Sequence, residues 1–72
     1  MIALLTGAIA HKSPDFIILD VNGVGYRARV PASTLDRLGD IGTQIDLHIH
    51  THVREDDISL YGFLTTDELD LF

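Results

Sequence analysis

The sequence predicts an all-β domain in which five short strands close into a small barrel. Three observations carry this. Residues 43–54 alternate with period two, Ile45, Leu47, Ile49, Thr51 and Val53 on one face against Gln44, Asp46, His48, His50 and His52 on the other. Asn22-Gly23 stands between two apolar-rich runs and is the strongest short-range hairpin signal, because both residues tolerate the positive φ of a type I′ turn. The remaining runs are short and separated by Gly, Pro, Asn and Asp, as in a chain of strands joined by turns.

Each element follows from its residues. Residues 2–10 read as the first strand, and Gly7 inside it marks a bulge, a bend or a close backbone approach. His11 to Pro14 is a turn. Phe16 to Val21 is an almost continuous apolar run, the pattern of a well-buried strand. After the Asn22-Gly23 turn, the strand Val24 to Val30 places Val24, Tyr26, Ala28 and Val30 on one face and Arg27 and Arg29 on the other, and Pro31 ends it. The stretch from Ala32 to Gly39 reads as one or two helical turns, capped by Ser33 or Thr34, with Leu35 and Leu38 on a shared face. Thr43 to Arg54 is the longest strand and Ile58 to Phe63 the last.

Thr65 and Glu68 then have capping-box spacing, and acids in the first turn suit the helix dipole. Leu69 and Phe72 begin an apolar stripe that so short a helix cannot bury by itself, so the expectation is a piece of a longer protein. The order strand, strand, strand, short helix, strand, strand, with a long fourth strand, is the layout of a five-stranded OB-fold barrel. The barrel is expected over residues 1–64, and residues 65–72 form the start of a helix leading into a second domain.

Composition bounds the chemistry. At 72 residues the chain is one domain, near the size at which a single core is barely sufficient and partners often supply the remainder. With no cysteine, disulfides, thiolate metal sites and cysteine nucleophiles are excluded, which is compatible with the reducing cytoplasm. The apolar start MIALLTGAIA lacks a basic flank and is too short to span a bilayer, so no membrane role is expected. Eleven acids against five Lys and Arg give a formal charge of −6, which by itself disfavours a phosphate backbone as ligand.

Few residues suggest chemistry. His48, His50 and His52 share a strand face and are metal-ligand types, yet same-face neighbours lie about 6.5–7 Å apart along a strand and rarely converge on one ion. Ser33, Ser59 and the threonines are not paired with a histidine and an orienting acid, so a hydrolase is not expected. Gly23-Val24-Gly25 precedes no helix and is no phosphate loop; no cofactor is expected. Arg27 and Arg29 are either phosphate contacts or solvated surface charges. Glu55, Asp56 and Asp57 crowd three negative charges onto one turn beside Arg54. Two carboxylates about 6 Å apart repel by about 0.7 kcal/mol in water, a cost that a partner reading the charge would explain.

Several pieces, in order and spanning the chain, resemble the N-terminal domain of the RuvA family of bacterial Holliday junction branch migration proteins. They are Met1-Ile2 with Leu5 and Gly7, Gly23-Val24-Gly25-Tyr26 ahead of Pro31, Val53-Arg54-Glu55-Asp56, Leu60-Tyr61-Gly62-Phe63, and Glu68 with Leu71-Phe72. The resemblance implies a cytoplasmic, non-catalytic subunit of recombination and repair, a homotetramer that holds four-way junction DNA on one face. It implies an acidic pin at Glu55 and Asp56, with Asp57 a third acid beyond the usual pair. Most backbone contacts would come from a following helix-hairpin-helix domain, and a C-terminal domain would bind the RuvB helicase. Arg54, Arg27 and Arg29 are the basic groups expected nearest the DNA. Two other readings stay open: an oligomerisation barrel with no direct DNA role, and a histidine-rich metal-binding barrel.

Overall fold

The computed structural model describes residues 1–71 and orders the elements as β1 (Leu4–Lys12), β2 (Phe16–Val21), β3 (Val24–Arg29), α1 (Ala32–Leu35), β4 (Gln44–Arg54), β5 (Asp57–Phe63) and α2 (Thr66–Leu71). The strands close in the order β1-β2-β3-β5-β4, an OB-fold barrel. All neighbours are antiparallel except β3 and β5, which run parallel and meet at the single rung Arg29↔Tyr61.

Closure is accomplished by β1, which serves two neighbours. Its first half, Leu4 to Ala8, pairs with β4, and its second half, Ala8 to Lys12, pairs with β2. A strand can do this only by bending. Gly7 lies at the bend, where a Cβ would stand 2.3 Å from the carbonyl oxygen of Asp20. Of the alternatives the glycine left open, the structure shows close backbone approach at Gly7 itself, with a register irregularity between Ile9 and His11. That irregularity lets β1 run on to Lys12, so the turn expected from His11 begins only at Ser13. The Ile9 N–H donates to Thr43 O at 3.0 Å, and Ile9 O accepts from the Gly42 N–H at 2.7 Å, tying the approach to β4 onto the irregular segment.

The β2–β3 turn is type I′ in character, with φ of 53° at Asn22 and 88° at Gly23, and Asp20 Oδ1 accepts the Gly23 N–H at 2.8 Å. Within β2 only Ile17 and Leu19 are buried, whereas Phe16 and Ile18 are half-buried on the outer surface. The continuous apolar run suggested burial on both sides; in a small barrel only the lumen side is fully dry. Leu5, Ile9, Ile17, Leu19, Ala28, Val30, Leu38, Leu47 and Ile49 fill that lumen.

Two capping expectations need correction. Helix α1 is only four residues long, its N-cap is Pro31, and no side chain caps it. Thr34 is instead completely buried, and its Oγ1 donates to Glu68 Oε2 at 3.3 Å. At α2, Thr65 Oγ1 accepts the Glu68 N–H at 3.2 Å, the first arm of the expected capping box. The Glu68 carboxylate turns outward, accepting from Arg37 Nη2 at 2.8 Å and from Thr65 Oγ1 at 3.3 Å. The element that follows the barrel is therefore clasped to the connection between β3 and β4. The expected stripe of Leu69 with Phe72 lies partly outside the described residues, since Phe72 is not among them.

Two outcomes are expected. Gly7→Ala forces backbone against backbone and should destabilise the barrel by about 1–3 kcal/mol, read from urea unfolding. An unchanged midpoint would mean that the bend is not tight. Glu68 is held below its ordinary pKa of 4.5, first by the hydrogen bond from Arg37, against opposition from desolvation, with the charge of Arg37 and the bonds from Thr65 and Thr34 adding to the lowering. A carboxylate lowered on folding stabilises above its unfolded pKa and loses that contribution as pH falls through the folded one. Glu68→Gln should therefore be less stable than the parent at pH 7, with the difference shrinking below about pH 4. An equal difference at pH 7 and pH 3 would contradict the clasp.

Candidate nucleic-acid interface

Strand β4 has 11 residues, about twice the common strand length, and its far end pairs only with β5. The two form a hairpin that runs beyond the β1 ladder and ends in the closing pair Arg54↔Asp57. Glu55 and Asp56 alone make the turn. Asp57, read from sequence as part of that turn, belongs to β5, where its Oδ2 accepts from Ser59 Oγ at 3.1 Å. Both tip acids are exposed, and the one ion pair among the described residues, Arg37 with Glu68, lies elsewhere. No ion pair among the described residues engages the acids of the tip.

The three arginines expected near a ligand do not form one cluster. Arg54 points along the hairpin, its Nε donating to His52 Nε2 at 3.0 Å. Arg27 stacks over the Phe16 ring at 5.6 Å from the centroid. Arg29 is paired across the parallel rung with Tyr61, and both line a cleft of about 280 Å³ together with Asp15, Val30, Pro31 and Phe63. Because Tyr61 is in turn opposite His50, Arg29, Tyr61 and His50 form one row on the outer surface, with His52 and Arg54 following along β4. The structure therefore brings Arg29 and Arg54 onto one face. Tyr61 joins them, a residue that sequence patterning offered only as part of a motif.

The histidines lie where alternation put them. His50 and His52 ring centroids are 6.4 Å apart, and Tyr61 packs between them and β3, 6.4 Å from His50 and 6.5 Å from His52. His48 is opposite Leu4 on one side and Phe63 on the other. Among the described residues, no group of three or more His, Asp or Glu side chains is placed to hold a metal ion.

A family model described as the RuvA N terminal domain matches residues 1–62. Curated relatives similar to the whole chain include the Holliday junction branch migration complex subunit RuvA of Geotalea daltonii at 62% identity, of Geobacter sulfurreducens at 61% and of Pelobacter propionicus at 65%. Each alignment covers 100% of this chain and 36% of the relative, so the chain spans about a third of the relatives' length.

Titrating the untagged chain with zinc should show no stoichiometric uptake by His48, His50 and His52. One equivalent bound, and lost in His50→Gln, would restore the metal reading.

Proposed function

Because the chain belongs to the RuvA N-terminal domain family, we propose that it serves as the barrel domain of a Holliday junction branch migration subunit. In this reading Glu55 and Asp56 are its acidic pin. The observation that carries it is the β4–β5 hairpin, whose two-residue tip is all acid, exposed and unpaired by any cation among the described residues. At the crossover of a four-way junction this tip would repel phosphates, keep the junction open and separate the strands that exchange.

A homotetramer would set four such hairpins around one axis, each facing one arm of the junction. The formal charge of −6 supports a domain that supplies shape and discrimination, with most backbone affinity residing, as the family resemblance implies, in a following helix-hairpin-helix domain. Arg54, Arg27 and Arg29 are the groups proposed to touch phosphate, Arg29 and Arg54 from the face they share. Asp57, held in β5 by Ser59, extends the negative field of the tip without standing at it. The subunit is non-catalytic in this account; the RuvB helicase, bound through a C-terminal domain, drives migration in recombination and repair in the cytoplasm.

The test uses a chimera in which these 72 residues replace the matching segment of the Geotalea daltonii relative. Glu55→Gln with Asp56→Asn should leave junction affinity equal or higher, lower the preference for junction over plain duplex, and alter RuvB-driven migration. The effect should be largest at low salt, where charge is least screened. If both affinities stay unchanged there, the tip is a solvated turn and the pin assignment is wrong for this protein.

A further inference from the structure

Among the described residues, Arg29 is the one Lys or Arg whose side chain no other residue engages, for Lys12, Arg27, Arg37 and Arg54 all have partners. It stands exposed at the cleft of about 280 Å³ between β3 and β5. Val30, Pro31, Tyr61 and Phe63 make the walls of that cleft apolar and aromatic, and Asp15 is brought to its edge because the Asp15 carbonyl accepts the Val30 N–H at 3.1 Å. The edge therefore carries one cation and one anion. Yet the two do not pair, since the single ion pair among the described residues is Arg37 with Glu68. Both side chains keep their hydrogen-bonding capacity for something outside the domain.

The surroundings of the cleft narrow its ligand. Across β2, β3, β5 and β4 the ladders set Phe16, Arg29, Tyr61 and His50 in one outward row, on strands about 4.8 Å apart. Rings beside a cation suit a ligand in which flat faces alternate with phosphates, as in a single strand of nucleic acid. The acidic tip does not oppose this, because Tyr61 lies about 13 Å along β5 from Asp57, farther than the Debye length of about 10 Å at 0.1 M salt. Asp15 then selects the base. A carboxylate only accepts, and guanine offers it two adjacent donors, N1–H and N2–H, where adenine and cytosine offer one amino group and thymine one ring N–H. We propose that the cleft binds a single unpaired guanine nucleotide, its base against Tyr61, its N1–H and N2–H on the Asp15 carboxylate and its phosphate on Arg29. About 280 Å³ is just below the range of about 300–1,000 Å³ common for ligand sites, room for one ring system. A base pair uses the same two donors, so only a strand parted from its complement can enter. The inference rests on the junction reading for its choice of nucleic acid and does not depend on the pin.

The test titrates the chain, which closes its own barrel around its own core, with labelled single-stranded octamers at low salt. One octamer is all dT, and the others carry a single central dG, dA or dC. The dG octamer should bind about tenfold tighter than all-dT, with dA and dC between them. Asp15→Asn should cut that preference by about threefold or more while tightening all-dT, because an acid has been removed from the path of a polyanion. A merely electrostatic surface would instead tighten on all four alike. Arg29→Gln should weaken all four, and amide shifts in the parent should centre on Asp15, Arg29 and Tyr61. Should Arg29→Gln unfold, Asp15→Asn carries the comparison, since that exposed side chain holds nothing in the fold. No measurable binding, equal affinity for the four octamers, an unchanged dG preference in Asp15→Asn, or shifts confined to the hairpin tip would overturn the guanine site. Failure of the junction reading shows elsewhere, as loss of the chimera's preference for junction over duplex.

Discussion

Everything in this domain depends on the close approach of the Gly7 backbone to the Asp20 carbonyl. β1 must pair with β4 through its first half and with β2 through its second, and any side chain at the bend would hold those two strands apart. With the bend in place the sheet closes, and the lumen can be filled by alternate residues of every strand. Once closed, the barrel uses only the first part of β4. The rest of that strand is free to project with β5 as a hairpin, and the candidate site is a by-product of strands longer than the barrel requires.

Four of the five Lys and Arg side chains have definite partners within the domain. Lys12 Nζ donates to the carbonyl oxygens of Leu35 at 3.3 Å and Gly39 at 2.8 Å, closing the end of α1. Arg37 holds Glu68, Arg27 lies on Phe16, and Arg54 reaches His52. None of these neutralises the hairpin tip. A surface so short of free positive charge is poorly suited to gripping a polyanion unaided, and it suits a part that shapes how a polyanion is held by others.

Much of this was legible in the sequence because strands have a simple period. The alternation in β4, the Asn22-Gly23 turn and the acids at 55 and 56 are local signals, and each has its local outcome. The failures share a cause in tertiary contact. Thr34 has the look of a helix cap, but a partner 34 residues away claims its hydroxyl. Phe16 and Ile18 extend an apolar run, but a barrel has only one fully dry side. Val53 falls on the face that alternation marks as buried, yet no barrel remains at its position to bury it. Strand length was the available clue, since a strand of 11 residues outruns a small barrel.

The single rung between Arg29 and Tyr61 makes the barrel a hoop with one thin seam. The other joints are ladders of several rungs, so local opening costs least between β3 and β5. Opening there would part the hoop without loosening the β4–β5 hairpin from its own ladder or β1 from its two neighbours. The seam is thus the joint at which the hoop parts most easily, and the projecting hairpin is held by a ladder that does not depend on it.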